Sequence, residues 1–163
     1  MPPVTAPEPS RSAPAGRRLT RSGRLVPADL DAERIGLVVR DFYGTARLDP
    51  LLGPIFDGAI PAEDWPRHLA TIEAFWSALL LGTTGYDGRP MPKHLALPGL
   101  EDRHFARWLE LFAAASARHC SPEAAALFVD RAERIAQSFR LGLAFHRGQD
   151  TASLAPLAWR PGV

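Results

Sequence analysis

From Asp29 onward, apolar and polar residues alternate with a helical period. Leu30, Ile35, Val38, Val39, Phe42 and Tyr43 recur mainly three and four apart, with Asp31, Glu33, Arg40 and Asp41 between them. That spacing predicts an amphipathic helix ending before Asp49-Pro50. Leu51 to Phe56 carries core-grade side chains broken by Gly53 and Pro54, and predicts a short helical or irregular corner. A second long helix opens at Pro61-Ala62-Glu63-Asp64. It runs through Trp65, Leu69, Ile72, Phe75, Trp76, Leu79 and Leu80, and stops at Gly82. A Gly- and Thr-rich loop then leads to a short helix between Pro92 and Pro98. Glu101 and Asp102 open a further helix with Phe105, Trp108, Leu109, Phe112 and Ala115 on its apolar face. Ser121-Pro122-Glu123 starts the last one, which carries Phe128, Ala132, Ile135, Phe139 and Leu143 and ends near Gly148. No segment alternates in period two for long enough to predict a strand, so the fold class is all-α.

The ends have a different character. Residues 1–27 are rich in Pro, Ser, Ala and Arg, lack aromatics and show no period, so they are expected to be a disordered tail. Residues 28–148 form the predicted helical domain, and residues 149–163 are expected to be an irregular tail. The first tail carries five arginines against Glu8 and is +4; the rest of the chain is −3, for a net charge of +1. Arg17-Arg18 is followed by no apolar run, which argues against a twin-arginine export signal, and no stretch of about 18 apolar residues is present to span a membrane. A near-neutral chain gives no reason to expect nucleic acid or an anionic membrane as partner. The single cysteine, Cys120, excludes an intrachain disulfide and a cysteine-only metal site, which fits a reducing, cytoplasmic setting.

With 163 residues, one domain can enclose a cofactor, and four rings are candidates for its chemistry. His94 lies on about two turns of backbone pinned by Pro92 and Pro98. A neutral imidazole there can bind a metal through one nitrogen while the other N–H reaches the Pro90 carbonyl, four residues back. Tyr43, His68 and Trp108 each place one polar-capable ring on an otherwise apolar helical face. Singly, each is accounted for as a core residue with a satisfied hydrogen bond. Together they match what a flat apolar cofactor with a central metal needs: aromatic walls, one axial ligand and a few donors. His104 is expected to lie off the apolar stripe, and His119 and His146 to be solvated at helix ends. No H-E-x-x-H motif, Gly-rich phosphate loop, carboxylate pair or Ser-His-Asp spacing is present.

The ordered series Phe42-Tyr43, Leu52-Gly53-Pro54-Ile55-Phe56, Trp65-x-x-His68, Phe75-Trp76, Leu80-Leu81-Gly82, Tyr86-x-Gly88-x-Pro90, His94-x-x-Leu97-Pro98 and Phe105-x-x-Trp108-x-x-Leu111-Phe112 resembles the bacterial truncated haemoglobins of group III. The resemblance spans about residues 30–146. It implies a two-over-two helical sandwich around haem b, with His94 as the proximal iron ligand and Tyr43, His68 and Trp108 on the distal side. Phe42, Phe56, Phe75 and Trp76 fall on family aromatic positions near or behind the pocket. The implied ligands are O2, NO, CO or peroxide, and the implied activities are oxygen binding or transport and NO-detoxifying or peroxidase-like redox chemistry supported by a reductase. The alternative is a haem-based ligand sensor or interaction module acting through a partner. His68 has two open roles, a gate or donor near the ligand or a second axial ligand. Lys93 and Arg103 lie near enough in sequence to the proximal segment to pair with haem propionates.

Overall fold

The computed structural model describes residues 16–161. Six helices form its body: α1 (Ala32–Ala46), α2 (Gly53–Ala59), α3 (Trp65–Leu81), α4 (Pro90–Leu95), α5 (Asp102–His119) and α6 (Pro122–His146). α5 packs on α6 and on α1, α1 packs on α3, and α4 lies on α6, which is the expected helical sandwich. Local signals set the boundaries. Asp31 caps α1 by accepting the Arg34 N–H at 2.8 Å, and Ser121 caps α6 by accepting the Ala124 N–H at 3.2 Å ahead of Pro122. α3 ends where Gly82 takes φ +70°, a left-handed conformation that glycine adopts at no steric cost. Among the described residues no helix is long and apolar enough to cross a membrane.

Part of the expected N-terminal tail is ordered. The tail expected to be disordered up to Pro27 forms an antiparallel hairpin within the described residues, with β1 (Arg17–Leu19) paired to β2 (Leu25–Pro27). The hairpin is tied to the helical body. Val26 is buried, the Ser22 hydroxyl donates to the Leu81 carbonyl at 2.7 Å, Arg24 donates to the Leu79 carbonyl, and Arg18 donates to the Leu30 carbonyl. The Ser22 and Arg24 contacts satisfy carbonyls at the end of α3, which lack partners within the helix. Strands of three residues are too short for a period-two signal, and the docking contacts are long-range. The part of the tail before Gly16 lies outside the described residues. After α6 the chain makes a 3-10 turn at Thr151–Ser153 and otherwise no regular structure among the described residues.

The core is a run of aromatic rings between the helices. Phe112 stacks on Trp76 (4.8 Å between centroids) and on Trp108 (5.3 Å), and it meets Phe42 edge-on at 5.3 Å and Phe128 at 5.9 Å. Burying each large ring contributes about 2–3 kcal/mol, and this cluster joins α1, α3, α5 and α6 in one stroke. Carboxylates add specific ties. Asp29 accepts from the Ser121 amide and hydroxyl, both at 2.8 Å, fixing the entry to α1 against the start of α6. Asp41 accepts from Arg118 and His119 at 2.8 Å each, which holds α1 to the end of α5 and pairs His119 instead of leaving it solvated. Asp49, 7% exposed, caps the Leu51 and Leu52 amides with one oxygen and binds Arg107 with the other at 2.8 Å.

Burial alone raises the Asp49 carboxyl, but the Arg107 guanidinium and the Leu52 and Leu51 amides outweigh it and hold it below the ordinary value of 3.8. The Arg118 bond similarly lowers Asp41, and the Arg140 bond lowers Asp102. A carboxylate depressed in the folded state adds stability that is full above its unfolded value and is lost as pH falls through the folded one. Acid unfolding is therefore expected to concentrate below about pH 4. Asp49→Ala is expected to cost about 2 kcal/mol at pH 7 and less at pH 3, checked by urea unfolding at both; an equal loss at both pH values contradicts the assignment.

Candidate functional site

Among the described residues an apolar cleft lies between α3, α4, α5 and α6, with Tyr43 of α1 and Phe56 of α2 in its lining. Its cavity measures about 210 Å³, opens to solvent at its mouth and is lined mainly by apolar and aromatic side chains with a few polar groups among them, the character of a cofactor site. Of the residues singled out from sequence, Tyr43, Phe56, His68, Phe75, Trp76, His94 and Trp108 all line this cleft. Phe42 does not. It is fully buried behind the wall, edge-on to Tyr43 at 4.7 Å and to Trp108 at 6.0 Å, where it backs both rings. Lys93 lines the cleft, whereas Arg103 is absent from the lining and pairs with Glu101 at 2.9 Å.

His94 sits in the last turn of α4, a six-residue helix whose first turn holds Pro90 and Pro92. Its Nδ1 lies 2.8 Å from the Pro90 carbonyl oxygen, so Nδ1–H donates there and the ring's hydrogen is fixed on that side. Nε2 then carries a lone pair, which is the form a metal ligand needs. The ring lies flat on Phe139 of α6, with centroids 4.1 Å apart and planes 16° apart. Burial lowers the His94 pKa most; the Pro90 bond works against that, the Lys93 charge adds to it, and the net shift is below 6.5. The imidazole is neutral at neutral pH.

Tyr43, Phe56, Trp65 and His68 form a second aromatic group. Tyr43 meets Phe56 at 5.5 Å, Trp65 at 5.8 Å and His68 at 6.1 Å, the last nearly perpendicular. Arg47 caps the cluster, its guanidinium 4.1 Å from the Trp65 ring centre. Burial pushes the Tyr43 phenol far above its usual range, so it remains an O–H donor at any physiological pH. His68 is depressed by burial and, to a lesser degree, by the charges of Lys93 and His94, and is neutral as well.

Further lining residues that the sequence pattern does not assign to the site include Tyr86, Arg89, His104 and Phe139. His104, expected off the stripe, is 6% exposed and accepts the Glu101 backbone N–H on Nδ1 at 3.0 Å, leaving its Nε2–H as a donor. Its signal is the spacing Glu101-x-x-His104 at a helix start, where the third residue can reach back to the cap. Tyr86 leans on Phe75 at 5.2 Å, and a side chain at Gly88 would collide with the Tyr86 ring. Tyr86 and Gly88 lie in a loop without a period, so only the tertiary structure brings them to the cleft.

No protein-family model matches the chain. The chain is 37% identical over 113 residues to the group 3 truncated hemoglobin ctb of Campylobacter jejuni, across 68% of this chain and 89% of that protein. The crystal structure of the group III truncated hemoglobin from Campylobacter jejuni superposes with a TM-score of 0.67 at 37% identity, covering 70% of this chain and 91% of that one. The chain belongs to the group III truncated haemoglobins.

A truncated haemoglobin implies a haem cofactor, and the cleft of this one suits it. The neutral imidazoles of His94 and His68, an extensive aromatic wall and hydrogen-bond donors on tyrosine and tryptophan suit a porphyrin-held metal. They do not form a cage for a bare ion: among the described residues, no three His, Cys, Asp or Glu side chains converge to hold one. Arg89 and Lys93 supply positive charge in the same lining, as the acidic side chains of a haem require.

In this truncated haemoglobin without its cofactor, both His68 and His94 are expected to titrate below 6.5 in an NMR pH series. The unfolded chain then binds more protons at these rings, so their share of stability is full above about pH 6.5 and is lost as pH falls through the folded values. Midpoints at or above 6.5 for both rings contradict the buried, neutral assignment.

Proposed function

We propose that this truncated haemoglobin would hold haem b through His94 Nε2 and bind O2, NO, CO or peroxide beside Tyr43, His68 and Trp108. The observation that carries the proposal is the convergence in one cleft of a neutral imidazole, tied through Nδ1–H to Pro90, with a permanently protonated tyrosine and an indole. Bound there, haem would supply redox-active iron able to take up small ligands. Everything else falls to the chain. Phe56, Phe75 and Trp76 wall the cofactor from water, and Arg89 and Lys93 offer its carboxylates charge-assisted bonds. The Tyr43 O–H and the Trp108 indole N–H donate to a ligand that carries partial negative charge, in a medium dry enough for each bond to count.

Each such bond slows ligand release by about an order of magnitude, which favours retention and redox turnover over simple oxygen delivery. The reading is therefore NO detoxification or a peroxidase-like reaction in the cytoplasm, with a reductase as electron donor. His68 acts as a gate: a neutral ring, half-buried and edge-on to Tyr43, can swing without breaking an ion pair. Cys120 takes no part, because burial first of all, with Asp29 nearby, pushes its thiol up to about 12.

Stopped-flow O2 dissociation is expected to speed up about tenfold in Tyr43→Phe and in Trp108→Phe, and NO or peroxide turnover is expected to exceed that of free haem. Unchanged off-rates in both variants contradict the donor roles. Turnover equal to free haem removes the redox reading.

A further inference from the structure

α4 is too short to orient His94 by itself. A six-residue helix without a side-chain N-cap bond has little intrinsic stability, so its geometry is borrowed from what it rests on. It rests on α6. Phe139 lies flat under the His94 ring, and at Gly142, one turn further on, the Met91 side chain packs on the bare backbone, its sulfur 2.9 Å from where a Cβ would stand. The Pro90 bond fixes which edge of the imidazole faces the backbone; the Phe139 face fixes the plane of the ring.

The residue after Phe139 is firmly anchored. The Arg140 side chain is 1% exposed, yet its charge is fully engaged. It donates to both oxygens of Asp102 at 2.7 Å, to Gln137 Oε1 at 2.8 Å and to the Ala155 carbonyl at 2.8 Å. One guanidinium thereby joins the start of α5, the middle of α6 and the C-terminal segment that follows it. That segment is pinned further along where the Trp159 indole donates to Glu133 at 3.1 Å, and the Arg147 guanidinium bonds the Leu100 carbonyl at 2.8 Å. A bidentate guanidinium–carboxylate pair fixes direction as well as distance, and the three bonds that leave α6, two to Asp102 and one to Ala155, leave it little freedom to turn about its axis.

We propose that Arg140 is a positioning residue for His94, acting through Phe139, and that the C-terminal segment, through the Ala155 carbonyl, is part of the support beneath the axial histidine. The inference deepens the haem-binding reading and rests on it for its consequence, since a better-oriented imidazole retains haem longer. Its structural half is readable without haem. The flat Phe139 ring shifts the His94 ring protons upfield in an NMR spectrum of the cofactor-free protein.

Arg140→Met is expected to reduce that upfield shift, to alter the iron–histidine stretching band of the ferrous haem protein, and to raise haem loss to a scavenger globin about tenfold. Phe139→Leu is expected to do the same, and the double variant to be no worse than Phe139→Leu alone, because the two residues act along one line. Arg118→Met breaks the Asp41 pair at the far end of α5 and is expected to lower Tm without moving the His94 signals. Additive effects of Arg140→Met and Phe139→Leu, or a His94 signal unmoved in folded Arg140→Met, overturn the proposal. Should Arg140→Met fail to fold, Asp102→Asn removes the bidentate pair more gently: a reduced upfield shift supports the proposal and an unmoved His94 signal overturns it. A wild type that takes up no haem removes the functional reading, while the His94 proton shift still decides whether Arg140 orients the ring.

Discussion

The site depends on a hydrogen bond closed within one helical turn, from His94 Nδ1–H to the Pro90 carbonyl at 2.8 Å. It fixes the tautomer, and with it the nitrogen that is free to ligate. It also holds the ring of a half-buried histidine whose neutrality comes mainly from desolvation. Without that bond, the imidazole would be an ordinary core residue able to turn either nitrogen to the cleft. Pro90 and Pro92 favour the bond by pre-setting the backbone of a helix that six residues do not stabilise by themselves.

Around that point the fold divides its labour. Aromatic stacking of Trp76, Phe112 and Trp108 supplies cohesion and places Trp76 and Trp108 in the cleft lining, so one cluster serves both stability and the site. The charged ties Asp41–Arg118, Asp49–Arg107 and Asp102–Arg140 lie where elements must keep a fixed angle. They contribute direction more than energy, since desolvation offsets much of their attraction.

Much of this is legible in the sequence because the signals are local. The three-to-four spacing of Val38, Val39, Phe42 and Tyr43 marks α1, Gly82 marks the end of α3, and Ser121-Pro122-Glu123 marks the start of α6. Even the Pro90 acceptor follows from counting back four residues. What the sequence hides is long-range. Three-residue strands at Arg17–Leu19 and Leu25–Pro27 carry no period, and their docking through Ser22, Arg24 and Arg18 depends on carbonyls outside the hairpin. His104 escapes the pattern because it lies beside the apolar stripe but is buried by its role at the start of α5. Phe42 shows the reverse: helical spacing puts it next to Tyr43, but only the packing reveals that it stands behind the cleft wall.

Absorption spectroscopy tests most directly whether His94 binds the haem iron through Nε2. The purified protein is compared with His94→Ala, ferric and ferrous, with and without CO, and the variant is then supplied with free imidazole. Ligation by His94 predicts a Soret band that shifts with CO in the wild type, is weakened or altered in His94→Ala, and returns toward the wild-type form when imidazole fills the vacated space. A His94→Ala spectrum identical to the wild type, or a wild type that takes up no haem, would contradict it.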